Sequence, residues 1–341
     1  MRRITIVGVP ALFVAVLAFP LVFSNPAVTS IAVFALIYAL AATSWNIFSG
    51  YTGYFSLGHS TFFGLGAYAL GIICQDWNIQ GGYAPFILLP LVGLIAAAFA
   101  IPLGWIALRT RRFTFVVITI AFVFIFQLLA YNLEGLTNGS HGMYLPFPPW
   151  SGAVYSYPFY YVAFGLLLLA LGTSWWVRHS KYGLGLLAIR DDEDRALGLG
   201  IQAGQFKLGA LVLSAFFLGM AGAMNVYFIG FFSPSFVFAP VFDVTIALMA
   251  LAGGVGTLTG PLLGALLLEP LQQYLTLQNG VNGLDLVLFG GLLLLVIIFL
   301  PDGLITALRR RWAAWRESRS AQRVTEHVDE KENSLAAESG K

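Results

Sequence analysis

APFILLPLVGLIAAAFAIPLGWIALRTRR, residues 84–112, is an uncharged apolar run that ends on Arg109, Arg111 and Arg112. About 20 predominantly apolar residues carry a helix across the hydrocarbon core of a bilayer. A Lys or Arg at the centre of such a helix costs roughly 2.5–3.5 kcal/mol, and short loops rich in these residues stay on the cytoplasmic side. The stretch therefore reads as a membrane span closing on the inner face. The rest of the chain repeats the pattern. Its 18 Lys and Arg residues fall at 2–3, 109–112, 178–207 and 309–341, while residues 4–108, 113–177 and 208–308 hold none. Each empty stretch must cross the membrane an even number of times.

Composition excludes the soluble classes. With 58% hydrophobic and 10% charged residues and a mean hydropathy of +0.82, too few polar side chains remain to cover a water-exposed surface. The net charge of +2 arises from the basic clusters and forms no stripe with interleaved aromatics, so nothing points to nucleic acid. Cys74 is the single cysteine; it can form no disulfide within the chain and reads as a small packing residue.

Marked off this way, the chain is an all-α polytopic membrane protein of about ten transmembrane helices, with both termini inside and some helices broken at Gly-rich hinges. The spans lie near 4–23, 29–48, 53–73, 84–107, 113–131, 157–177, 207–229 and 284–300, and residues 241–276 supply two more. Residues 1–23 resemble a secretory signal, but the apolar run is longer than the usual signal core and lacks a small-x-small site, which favours a retained helix. The loop between the fifth and sixth spans, with Asn138, Gly139, Ser140, Pro146, Pro148 and Pro149, reads as outward-facing turns. Residues 1–311 form the transmembrane domain, with an inner loop at 178–206, and residues 312–341 read as a disordered polar tail.

Non-helical backbone at membrane depth is tolerated only where it packs within protein or lines a watery cavity, so glycine-broken spans mark candidate pathways. The first break holds Gly50, Gly53, Ser56, Gly58 and His59, and the second holds Gly253, Gly254 and Gly256. Small residues at helix interfaces are also ordinary membrane packing. Ionisable residues inside a membrane are expensive and point to function by default. Asp243 and Asp285, at the starts of spans, read as interfacial. Glu269 lies deeper and is either a carboxyl bonded to a neighbouring helix or a proton or substrate contact. His59 is either a hydrogen-bonded packing residue or a substrate contact.

The inner loop is unlike the rest. Leu184 to Gly200 reads as a short helical core with acids at its centre, in which Leu187, Ile189, Ala196, Leu197 and Leu199 make apolar contacts while Arg190 to Arg195 stay wet. A partner-docking helix accounts for apolar residues flanking four consecutive acids better than a solvated connector does.

These segments resemble, in order and over nearly the whole chain, the M-type permease subunit of the branched-chain amino acid importers, which are ATP-binding-cassette uptake systems. The resemblance rests on Gly50-Tyr-Thr-Gly53 with Ser56-Leu57-Gly58-His59 and Phe62 to Tyr68, and on Leu184 to Gly200 with Lys207 and the small-residue stretch Ser214 to Ala223. Gly253 to Thr257 with Gly260 to Ala265, and Phe299 to Leu304, complete it. It implies a subunit of a prokaryotic plasma membrane importer that is not itself an enzyme. The implied partners are a second related permease, two cytoplasmic ATPases that hold ATP and Mg, and an extracytoplasmic solute-binding protein. It further implies that Gly185, Ala188, Ile189, Arg190, Asp191, Glu193, Ala196, Gly198 and Gly200 form a coupling helix. Branched-chain amino acids are the expected cargo, with urea or short amides as the alternative within the family. No G-x-x-x-x-G-K-[ST] loop occurs, so no cofactor is expected in this chain.

An ion-coupled secondary transporter would also use broken helices and a buried acid such as Glu269. An intramembrane enzyme would need a partner set for His59 or an H-E-x-x-H helix, and the sequence offers neither.

Overall fold

The computed structural model describes residues 18–23, 25–279 and 290–291. Most of the 4–23 and 284–300 spans lies outside these residues, as do Asp285, Phe299 to Leu304, the Arg309–Arg311 cluster and the 312–341 tail.

The described chain is a helical bundle. Its long elements are α1 (Pro26–Trp45), α2 (His59–Asp76), α3 (Leu89–Ala107), α4 (Arg112–Asn132), α5 (Ser156–His179), α6 (Lys181–Asp191), α7 (Glu193–Gly198), α8 (Ala203–Ile229), α9 (Pro240–Gly253) and α10 (Gly260–Asn279). α1 opens on a strong stop: Asn25 accepts the Ala27 amide at 3.0 Å and Pro26 occupies the first turn. Among the described residues, six helices are long and apolar enough to cross a membrane: Pro26–Gly50, Leu89–Ala107, Arg112–Asn132, Ser156–His179, Ala203–Ile229 and Pro234–Gly253. This is an all-α, multi-pass membrane architecture. α2 and α10 are helical as expected but more polar, and they lean on the bundle, α2 against α3 and α8, α10 against α1 and α9.

Layering follows from side-chain size. Over an 18-residue apolar stretch of each, the Ala203–Ile229 helix is 78% buried and the Arg112–Asn132 helix only 22%, so α8 is the hub and α4 lies at the rim. Lipid tails are as apolar as Leu, so membrane helices gain little from hydrophobicity alone and associate through close backbone approach. α8 achieves this with small residues. Gly219 meets Ala96 of α3, Gly66 of α2 meets the Gly219 backbone, and Gly222 meets the Phe63 backbone. Cys74 is buried and free.

The two ends of the bundle differ in chemistry. One gathers aromatics: Phe86, Trp150, Phe159, Tyr227 and Phe228 contact one another in stacked and edge-on pairs. There the Tyr227 hydroxyl both accepts the Gly82 amide and donates to the Gly82 carbonyl, each at 2.8 Å. The same end corrects the expectation of turns alone at 138–149. β1 (Met143–Tyr144) pairs antiparallel with β2 (Phe231–Phe232), Met143 opposite Phe232, and so pins the loop to the end of α8. The other end gathers the arginines and lysines of 109–112 and 178–207, and Arg109 caps the ring of exposed Trp105 at 3.5 Å.

Two breaks interrupt the bundle at its basic end. α1 runs on as a π-helical turn, Asn46–Gly50, and the chain is non-helical from Gly53 to Gly58 before α2 begins. Ser49 and Gly50, which lie between the expected 29–48 and 53–73 spans, are buried. Residues 241–276, expected to supply two spans, form two helices around a break, with α9 ending at Gly253 and α10 starting at Gly260; α9 is among the six span-like helices and α10 is not.

Candidate coupling and hinge site

The inner loop is built by its caps. The Ser180 hydroxyl accepts the Gly183 amide at 3.1 Å and starts α6. Asp192, in extended conformation, ends α6 and caps α7 by accepting the Arg195 amide at 3.1 Å. The expected single helical core is therefore two helices with a corner at Asp192, because an Asp side chain competes for the amides two and three residues on. Ile189, Ala196 and Ala203 are fully buried at that corner with Phe206 packed on them, and Gly185 lies flat against the Phe206 ring. Leu197 and Leu199, expected to make apolar contacts, are 52% and 81% exposed, and Leu184 is 64% exposed. Ala188 is half-buried and Asp191 exposed, while Gly198 and Gly200 are exposed and a Cβ added at either would meet nothing within 4 Å.

A second correction concerns the acids. Arg190 and Glu193 do not stay wet. The Arg190 Nη1 donates to the Gly50 carbonyl at 2.8 Å. Glu193 receives the Lys207 ammonium at 2.6 Å on Oε1 and the Tyr54 hydroxyl at 2.6 Å on Oε2. Lys207 also donates to the Tyr54 hydroxyl at 3.1 Å and lies 4.2 Å from the centre of its ring. The Lys207 side chain is only 3% exposed. Partial burial alone would raise the Glu193 carboxyl, but the hydrogen bonds from Lys207 and Tyr54 and the charges of Lys207 and Arg112 outweigh it and hold the group below its ordinary value. Arg112 adds hydrogen bonds to the Arg190 and Ile189 carbonyls at 2.9 and 3.4 Å, where the end of α6 leaves them unpaired.

The two glycine breaks, more than 200 residues apart, meet here. Asn46 in the π-turn accepts the Gly256 amide at 2.7 Å and donates to the Thr257 carbonyl at 3.0 Å. Arg178 donates to the Gly256 carbonyl, and Thr257 caps α10 by accepting the Gly260 amide at 3.0 Å. Gly53 and Gly256 have φ of +72° and +74° and lie against Arg190, so a Cβ at either would strain the backbone and press on that side chain. Gly50, Gly53 and Gly256 thus share one arginine, and Gly253 and Gly254 close the same break.

The remaining residues of the first break serve a different junction. His59 is fully buried, and each ring nitrogen lies 2.9 Å from a hydroxyl, Nδ1 from Ser56 and Nε2 from Ser214. Ser214 donates in turn to the Ser44 carbonyl at 2.6 Å. With both nitrogens engaged, His59 is a hydrogen-bonded staple joining α1, α2 and α8. Gly58 abuts the Thr119 backbone, and the Leu57 amide donates to the Thr119 hydroxyl at 3.3 Å.

Asp243 overturns its interfacial reading. It is fully buried and accepts the Ser60 amide at 2.8 Å and the Ser60 hydroxyl at 2.5 Å. Gly58 gives α2 no side-chain cap, and Asp243 supplies one from α9. Asp243→Ala should leave that amide unpaired and lower stability by about 1–3 kcal/mol, read as a lower unfolding midpoint in detergent, with Asp243→Asn retaining part of the loss. Glu269 stands apart from both breaks. Its Oε1 accepts from Gln273, one turn on, at 2.9 Å, and its Oε2 has no partner among the described residues.

Residues 27–297 match the family described as branched-chain amino acid transport system / permease component. The chain belongs to that family. This permease is similar to the high-affinity branched-chain amino acid transport system permease protein LivM of Salmonella typhimurium, with 29% identity over 88% of this chain and 74% of the relative. It is also similar to the permease protein LivH of the same system and organism, at 24% over 79% of this chain and 91% of the relative. The L-arabinose ABC transporter permease protein AraH of Azospirillum brasilense is 27% identical over 48% of this chain and 45% of the relative. No solved structure matches the chain.

Sequence reasoning missed Asn46, Arg112, Arg178, Ser214 and Thr257 as site residues, along with the caging of Lys207. Only Lys207 carried a usable signal: a lone ammonium near the start of a span requires an acid close by.

Proposed function

We propose that this permease is the membrane half of an ATP-driven importer for branched-chain or related amino acids in a prokaryotic plasma membrane. About ten spans place both termini and the basic end in the cytoplasm. A second, related permease completes the pathway, a solute-binding protein delivers the cargo, and two ATPase subunits carrying ATP and Mg act on the α6–α7 segment. The translocation path runs along the broken spans, with Gly50, Gly53, Ser56, Gly58, Gly253, Gly254 and Gly256 as hinge positions. An apolar path discriminates weakly between side chains, one methylene being worth about 1–3 kcal/mol, so the binding protein sets most of the specificity.

The observation that supports this reading is the two-sidedness of α6–α7. Arg190, Ile189, Glu193 and Ala196 fasten it inward, while Leu184, Leu197 and Leu199 face outward. A segment with a fixed inner face and an exposed apolar outer face is a handle, and two packed helices move as a unit when it is gripped. Leu197→Asp with Leu199→Asp should leave the permease folded and cut co-purified ATPase about tenfold. Uptake in vesicles lacking nucleotide, driven instead by a proton gradient, would sink the proposal and favour a secondary carrier.

A further inference from the structure

The handle's inner face does more than hold it in place. Arg190 of α6 is bonded to the Gly50 carbonyl, and Glu193 of α7 to the Tyr54 hydroxyl. These two contacts bracket Gly53, the left-handed residue where the first break turns. Tyr54 is 2% exposed, and its ring packs edge-on against Phe115 of α4 at 5.4 Å. Lys207, near the start of the hub helix α8, closes the triangle by bonding both Glu193 and Tyr54. A movement of α7 by the length of a hydrogen bond must therefore drag the break, pull on α8, or leave a buried ammonium without its carboxylate. The last is the costliest. None of the three residues lies on the exposed leucine face, so gripping the handle and passing on its motion are separable.

We propose that Tyr54, Glu193 and Lys207 form a latch that makes the 50–58 break follow the α6–α7 handle, which makes them positioning residues for transport. This rests on the importer reading above. Tyr54→Phe is the probing variant, since it removes one hydroxyl, keeps the ring on Phe115 and leaves the Lys207–Glu193 pair intact. The measurement uses the whole transporter with its binding protein in proteoliposomes, scoring co-purified ATPase, ATP hydrolysis and uptake of radiolabelled leucine. Expected are normal assembly, hydrolysis within about twofold of the parent, and leucine carried per ATP reduced about tenfold, the scale of one hydrogen bond to a charged group. An unchanged ratio of uptake to hydrolysis, whether both rates persist or both fall, overturns the latch. A parent permease that brings down no ATPase, or takes up leucine without ATP, overturns the importer reading instead and the latch with it.

Discussion

Glu193→Ala is expected to be the most damaging single change in the α6–α7 segment. It strands the Lys207 ammonium, 3% exposed, with only the Tyr54 hydroxyl and ring for company. Breaking a buried pair by removing one partner costs about 3–5 kcal/mol, far more than the pair contributes relative to apolar replacements of the same volume. The expected result is a large drop in the unfolding midpoint and in the monodisperse yield of the purified permease. Two comparisons fix the cause. The double variant Glu193→Leu, Lys207→Met should recover most of the loss, since no charge is left to solvate. Arg195→Ala should change stability by less than about 1 kcal/mol, because the Arg195–Asp192 pair is 86% and 40% exposed. The acid dependence has a definite sign. The Glu193 carboxyl is held below its ordinary value, so its contribution is full above the unfolded value and is lost as the pH falls through the lowered one. The gap between parent and Glu193→Ala should therefore be wide at neutral pH and narrow only in strong acid. A gap that is constant with pH would show that the carboxylate charge is not what holds Lys207.

Gly66→Leu and Gly222→Leu are expected to abolish the folded bundle altogether. A Cβ at Gly66 overlaps the Gly219 carbonyl, and one at Gly222 overlaps the Phe63 carbonyl. Overpacking a core costs about 1–3 kcal/mol where side chains can give way. Here the obstruction is backbone on a facing helix, so α2 and α8 would have to separate along their length. The control is Gly172→Leu on α5, an exposed position where an added Cβ meets nothing within 4 Å. That variant should express and melt like the parent. Equal yields for Gly172→Leu and Gly222→Leu in size-exclusion chromatography would refute the claim that close backbone approach holds the hub.

The same residues divide what was legible from what was not. Apolar length and basic clusters located α1, α3, α4, α5 and α8, and the reading of 241–276 as a helix, a glycine break and a return helix matches α9 and α10 as helices. Glycine spacing marked both breaks. Their meeting through Asn46 and Gly256 left no local trace, since an Asn between Trp45 and Ile47 has the same pattern whether its amide faces lipid or a distant backbone. Asp243 misled for the opposite reason. Its position at the start of a span is that of an interfacial residue, and only its packing on α2 shows that it caps a different helix.

What the amino-acid order determined by itself is therefore the membrane class, the long apolar helices and the positions of two glycine breaks and a charged loop, because transfer into a bilayer is a sum over local side chains. What the tertiary structure alone decided is direction: which way Arg190 and Glu193 turn, which leucines stay outside, and which acid meets Lys207. Those outcomes depend on pairing buried polar groups across helices brought together by glycine contacts, and pairing is a property of three-dimensional neighbours that sequence spacing does not encode.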